Sequence, residues 1–110
     1  MKIQKTISAF AALAHETRLK AFRLLIRQGP DGLPAGRIAD RLRVAPPTLS
    51  AHLAQLERAG LVQSWRGERW IYYAVDVDGT RRLLRYLTED CCRGHPELCG
   101  DLLDAGGVCN

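Results

Sequence analysis

Three of the four cysteines of the chain lie close together in its last twenty residues. Cys91, Cys92 and Cys99 occur in the segment CCRGHPELC, Cys109 is the penultimate residue, and the first 90 residues contain no cysteine. A thiolate is a soft ligand that selects soft, thiophilic ions. This clustering predicts a ligand-binding site attached to a domain that has a different task.

Charge separates the cysteine segment from the rest of the chain. The net charge of the 110 residues is +4, and all 16 Lys and Arg lie within residues 1–93. Residues 94–110 contain Glu97, Asp101 and Asp104 and no Lys or Arg. A basic body followed by an acidic tail indicates a polyanionic partner for the body.

The first residues resemble a secretory signal in composition but not in pattern. Lys2 and Lys5 precede the run ISAFAALA, which would suit an exported protein with two disulfides. However, Ile3, Ile7 and Phe10 recur at the spacing of one helical face. We therefore expect a cytoplasmic chain with reduced thiols, and no segment is long enough to span a membrane.

Apolar periodicity predicts one domain of four helices, a β-hairpin and a last helix. Gly29-Pro30 and Gly60 supply the helix stops, Gly67 supplies the hairpin turn, and Leu19, Phe22 and Ile26 share one face of the second helix. The predicted helices cover residues 2–13, 15–28, 34–42, 46–58 and 78–92, and the predicted strands cover 61–65 and 70–75.

Two short helices joined by a tight turn and followed by a basic hairpin are typical of a winged helix-turn-helix. The fold is thus predicted to be mainly α with a β-hairpin wing, and helix 46–58 is the expected recognition helix. Its leucines at 49, 53 and 56 are expected to be buried, which turns short polar groups toward DNA. The predicted DNA contacts are Pro47, Thr48, Ser50, His52 and Gln55 on this helix, and Arg66 and Arg69 on the hairpin.

Three motifs in this order resemble the ArsR/SmtB family of metal-sensing repressors. Residues 13–19 (LAHETRL) look like the family's opening motif, PPTLSAHLAQLERAGLV is similar to its recognition helix, and RGERWIYYAV resembles its wing. The resemblance covers about residues 7–90. It implies a homodimer formed through the first and last helices, which binds operator DNA as the apoprotein and releases it when a metal or metalloid binds.

The chain departs from the family at both common sensor sites. The arsenic-binding cysteine motif of the family would fall on residues 32–38, which contain no cysteine. The zinc site of other members would fall on Val77, Gly79, Asp90 and Arg93, of which only Asp90 can ligate. The recognition helix also has one histidine, His52, where the family has two.

The tail resembles that of arsenic-responsive members that carry a vicinal cysteine pair near the end of the last helix and a third cysteine a few residues further on. Trivalent arsenic or antimony prefers three thiolates on one side, so the resemblance implies arsenite or antimonite as the inducer, bound by Cys91, Cys92 and Cys99. Normal disulfide geometry disfavours a bridge between Cys91 and Cys92, and Arg93 and His95 would favour their thiolates. Cys109 is not expected to be a ligand.

Two other uses of the same thiols remain open. Zinc or cadmium would take four ligands, the three cysteines with His95 or Cys109. A redox-switch regulator would release DNA on oxidation without any metalloid. An enzyme is not expected, because no motif supplies a nucleophile with an acid-base partner. We therefore expect a DNA-binding and dimerisation domain at residues 1–92 and a cysteine-containing tail at 93–110.

Overall fold

The predicted winged helix-turn-helix is confirmed by a computed structural model, which describes residues 2–88. The elements are α1 (Ile3–Leu13), α2 (Glu16–Gln28), β1 (Leu33–Pro34), α3 (Ala35–Leu42), α4 (Pro46–Arg58), β2 (Val62–Arg66), β3 (Ile71–Val75) and α5 (Val77–Leu87). The helix predicted at 78–92 is present as α5, which begins at Val77 and ends at Leu87 with Thr88 as its C-cap. Residues 89–92 of the predicted helix lie outside the described part of the chain.

A three-stranded antiparallel sheet carries the wing, with strand order β1-β3-β2. The β2–β3 hairpin was predicted, but β1 was not, because two residues have no periodicity to detect. Leu33 pairs with Tyr73 and Pro34 with Tyr72. Gly32 has a φ of +71°, and a Cβ there would meet the carbonyl oxygen of Tyr73 at 2.5 Å. The close approach of these two backbone segments therefore requires glycine.

The hydrophobic core lies between α2, α3, α4 and the sheet. Leu49, Leu53 and Leu56 of α4 are buried as predicted. Leu19 and Ile26, which share a helical face with Phe22 in the sequence pattern, are 45% and 47% exposed. The buried residues of α2 are Ala21, Phe22 and Leu25, so the inward face of this helix combines two large apolar side chains with a small one.

Local capping fixes where the helices begin and end. His15 precedes α2 with extended backbone, and its Nδ1 accepts a hydrogen bond from the N–H of Thr17 at 3.1 Å. The Asp76 side chain accepts from the N–H of Gly79 at 3.0 Å at the start of α5. Two prolines occupy the first turn of α4, where no intrahelical donor is lost. Local sequence therefore determines where α2, α4 and α5 begin.

The first turn of α5 lies directly against the turn that ends α4. A methyl group at Gly79 would overlap the carbonyl oxygen of Gly60, whereas a methyl group at Gly36 in α3 would meet nothing within 4 Å. We expect Gly79→Ala to lower the free energy of unfolding by about 1–3 kcal/mol, because the backbones must separate. Gly36→Ala should raise it by roughly 0.5–1 kcal/mol.

Urea unfolding of both variants at one protein concentration measures this difference. Equal effects of the two substitutions would contradict the close approach of α4 and α5.

Candidate nucleic-acid interface

One face of α4 is buried and the opposite face is exposed. Leu49, Leu53 and Leu56 anchor the helix in the core. Pro47, Ala51 and Gln55 follow one another at four-residue spacing and are all exposed, as are Thr48 and Ser50 beside them. The structure thus places four of the five predicted α4 contacts on open surface. Ala51 is an exposed member of the face that was not predicted, since alanine has no polar group to draw attention to it.

The turn between α3 and α4 sets the angle at which α4 is presented. Arg43 ends α3 in the left-handed conformation with a φ of +56°. The N–H of Val44 then donates to the carbonyl oxygen of Ala39 at 3.1 Å, which satisfies a carbonyl at the end of α3. Ile38, fully buried, packs this short helix into the core. The two helices consequently form one helix-turn-helix unit.

The wing is a tight hairpin whose tip is basic. The N–H of Gly67 donates to the carbonyl oxygen of Trp70 at 2.8 Å and closes the turn. Trp65 and Tyr72 are paired across the strands and stack with ring centroids 5.7 Å apart. The hydroxyl of Ser64 donates to Glu57 at the end of α4 at 2.8 Å. Arg66 and Arg69 are exposed at the tip, as expected.

Contacts within the protein restrict the side chain of His52, unlike the exposed side chains on the same helix. It is half-buried on α4, and its ring lies 4.5 Å from that of His15. A guanidinium N–H of Arg18 donates to its Nδ1 at 3.2 Å. Because arginine has no acceptor, this Nδ1 must be unprotonated and Nε2 must carry the ring proton. Burial, together with the electrostatic influence of the neighbouring His15 and Arg18, lowers the pKa of His52 below its usual 6.5.

Further cations surround the helix-turn-helix and were not predicted as contacts. Lys20, Arg23 and Arg27 of α2 and Arg41 of α3 line an open cleft of about 320 Å³ that contains no acidic side chain. In the sequence, only the general excess of arginine indicates that these cations could contact DNA. The α3 side of the interface therefore adds positive charge near the turn that precedes α4.

Apolar side chains of α1 and α5 are exposed to an unusual degree. On α1, Ile3 is 61% and Ile7 59% exposed, and on α5, Leu87 is 53% exposed. Phe10 and Leu84 are also more than 40% exposed. We call these five residues the α1/α5 apolar surface. Leu83, on the same helix as Leu84 and Leu87, is buried instead.

The predicted ligand site lies outside the described residues. Cys91, Cys92, Cys99 and Cys109 all follow residue 88. Between residues 2 and 88, no group of three or more His, Cys, Asp or Glu side chains is arranged to hold a metal ion. None of the helices in this range is long and apolar enough to cross a membrane.

Comparison with known proteins decides the family. The helix-turn-helix domain family HTH_20 matches residues 13–64, from the end of α1 into β2. The chain is 30% identical over 88 residues to MJ1325, an uncharacterized HTH-type transcriptional regulator of Methanocaldococcus jannaschii, covering 80% of this chain and 97% of MJ1325.

A solved structure supplies the family name. The homodimeric winged helix-turn-helix DNA-binding domain of Mb0332 from Mycobacterium bovis, a possible ArsR-family transcriptional regulator, superposes with a TM-score of 0.65. It is 26% identical and covers 80% of this chain and 82% of that domain. The chain belongs to the ArsR family of winged-helix transcriptional regulators. Membership of the ArsR family makes the chain a transcriptional regulator with a DNA-binding helix-turn-helix.

Another relative is named for arsenic. The chain is 36% identical over 66 residues to the arsenic resistance transcriptional regulator ArsR1 of Pseudomonas putida. This match covers 60% of the chain and half of ArsR1.

Proposed function

We propose that this ArsR-family chain is a metalloid-responsive repressor that binds operator DNA as a homodimer. The observation that carries the proposal is the exposed polar face of α4 opposite its buried leucines. A recognition helix with such a face enters the major groove, where base edges carry a distinct pattern of donors and acceptors.

The proposed contacts divide by chemistry. Thr48, Ser50 and Gln55 hydrogen-bond to base edges or phosphates, and Ala51 lies on the same face, where its methyl group suits a thymine methyl. Pro47 places the first turn of α4 against the groove. His52 has only Nε2 left for DNA, since Arg18 occupies Nδ1. At the wing, Arg66 and Arg69 bind phosphates or enter the adjacent minor groove, where counterion release supplies affinity.

The α1/α5 apolar surface is the proposed dimer interface. Its five large side chains would remain in water in a single chain, and burying apolar area contributes about 25 cal/mol per Å². The homodimeric state of Mb0332 supports the same assembly here. A dimer presents two copies of α4, which suits an operator with two related half-sites.

The proposed inducer is As(III) or Sb(III), bound by the thiolates of Cys91, Cys92 and Cys99. The similarity to ArsR1 and the clustering of the three cysteines support this ligand. Cys91 follows Leu87 of the α1/α5 apolar surface by four residues, so ligand binding would act on the end of the dimerisation helix. Residues 1–92 then form the DNA-binding and dimerisation domain, and 93–110 the sensing tail. Operator DNA must weaken inducer binding by the same factor by which inducer weakens DNA binding.

Zinc or cadmium sensing is the second candidate, with His95 or Cys109 as the fourth ligand. A thiol redox switch is the third. Both keep the same fold and the same DNA interface, and they differ from the first in what releases the operator.

Operator binding tests the assigned contacts. The probe is a labelled promoter fragment from upstream of the chain's own gene, with a scrambled fragment of equal length as control. We expect Gln55→Ala to weaken specific binding by about 1–3 kcal/mol and to leave scrambled-fragment binding unchanged, because only a base contact is lost. Arg69→Gln should weaken both and reduce the slope of log K against log salt by about 0.9.

Fluorescence anisotropy over a series of salt concentrations measures both quantities. Equal affinity of the unmutated protein for the promoter and the scrambled fragment would overturn the operator assignment. A uniform effect of Gln55→Ala on both fragments would remove this residue from base reading.

A further inference from the structure

Arg18 joins three helices through two hydrogen bonds. Its Nε–H donates to the carbonyl oxygen of Ala12 at 2.6 Å, near the end of α1. A second guanidinium N–H donates to Nδ1 of His52 on α4 at 3.2 Å. Arg18 itself lies in the first turn of α2 and is half-buried. The flat guanidinium therefore spans the gap between α1 and α4.

The two helices that Arg18 connects have different tasks. The outer side of α1 presents Ile3, Ile7 and Phe10 to the proposed dimer partner, and Phe10 lies two residues before Ala12. The outer side of α4 faces DNA, and His52 lies between Ala51 and Leu53, one exposed and the other fully buried. Besides the direct packing of these helices, Arg18 therefore gives a displacement of α1 at the dimer interface a hydrogen-bonded route to α4.

We propose that Arg18 is a positioning residue that fixes the recognition helix relative to the dimerisation helix, by donating to Ala12 and His52 at once. The proposal rests on the proposed function, because it needs a dimer that binds an operator. In addition, the proposal states how a change at α1 and α5 would alter the orientation of α4: it would act through the hydrogen bonds of Arg18.

The link requires His52 to be neutral. Protonation of Nδ1 removes the acceptor and places an imidazolium against the guanidinium of Arg18. His15, across the ring from His52, is the other titratable group that faces this contact. The depressed pKa of His52 keeps the ring neutral at pH 7. As the pH falls below 6.5 toward the folded-state value, the ring gains its proton and the hydrogen bond is lost.

Substitutions of Arg18 test whether this residue orients α4 or only attracts DNA phosphates through its charge. Lysine keeps the charge but lacks the planar fork that donates to two fixed acceptors. We expect Arg18→Lys and Arg18→Met to weaken operator affinity equally, by about fivefold, the equivalent of one hydrogen bond. Recovery of full affinity by lysine would show a phosphate contact and overturn the proposal. Arg27→Met, an exposed arginine on the same helix, controls for lost charge.

A double-mutant cycle tests the contact with His52. His52→Asn should cost a similar factor, and the double variant Arg18→Lys/His52→Asn should be no weaker than the weaker single variant. Independent effects that multiply would contradict the link. Thermal unfolding and sedimentation of each variant, at the assay concentration, establish that the protein is folded and dimeric.

The pH profile of operator affinity gives a readout that loss of stability does not change. For the unmutated protein we expect affinity to be constant near pH 7 and to fall as the pH is lowered below 6.5, and for His52→Asn we expect this fall to disappear. His15→Ser keeps a capping oxygen at the start of α2 and should retain the fall. A rise in affinity on acidification would mean direct attraction of His52 to phosphate and would sink the inference.

The two proposals fail in different ways. Failure of the unmutated protein to bind the promoter fragment would overturn the operator function and the inference with it. Normal binding and release by the unmutated protein, with Arg18 variants that behave identically, would remove only the role of Arg18.

Discussion

Ile7→Asp is expected to convert the protein to a monomer and to weaken operator binding by at least about 100-fold. Ile7 is 59% exposed in the single chain, so an aspartate there is tolerated by the fold. In the dimer the same position would lie in the apolar interface, where an unpaired carboxylate is costly to bury. A monomer holds one half-site at a time and loses the advantage of linked binding, which amounts to about 10²–10⁴ in affinity.

Ile26→Asp is the matched control for this substitution. Ile26 is 47% exposed on α2, outside the α1/α5 apolar surface, and the change adds the same charge. Sedimentation equilibrium and operator titration of both variants provide the measurement. A dimeric Ile7→Asp protein with normal operator affinity would place the dimer interface elsewhere.

Cys91→Ser and Cys92→Ser are each expected to bind the operator normally and to keep it in the presence of arsenite. A serine hydroxyl is a hard ligand and does not replace a thiolate on a thiophilic ion. Loss of one of three thiolates should raise the arsenite concentration needed for release by more than the roughly 10–100-fold seen when an outer-shell partner is lost. Cys109→Ser should respond as the unmutated chain does, because Cys109 is not a proposed ligand.

Operator release is followed by anisotropy during arsenite titration of the reduced proteins. The assignment of the site is wrong if Cys91→Ser and Cys92→Ser both release at the concentration that suffices for the unmutated chain. A loss of response in Cys109→Ser would make this residue an arsenite ligand and contradict the assignment to Cys91, Cys92 and Cys99.

Elements with local signals were predictable from the sequence. Pro46 and Gly60 bound α4, and its leucines at three- and four-residue spacing identify the buried face. The hairpin was equally clear, because Gly67 stands between two β-prone runs. From these elements the winged helix-turn-helix followed, and with it the exposed positions of Thr48, Gln55 and Arg69.

Features that depend on tertiary contact could not be predicted. The two residues of β1 form a strand only because Tyr72 and Tyr73 lie beside them. Arg18 and His52 are 34 positions apart, so no periodicity relates them. Leu19 and Ile26 resemble core residues in the sequence, yet they flank the buried face of α2 and are exposed.

The most direct measurement is release of the reduced, operator-bound protein by arsenite, zinc, cadmium and peroxide, titrated in parallel. The account predicts release by low concentrations of arsenite alone, with the same fragment retained in the other three titrations. Release by zinc or cadmium would assign four-coordinate metal chemistry to the tail, and release by peroxide would assign a redox switch. An operator complex that none of the four disturbs would contradict the proposal that the cysteines sense a ligand.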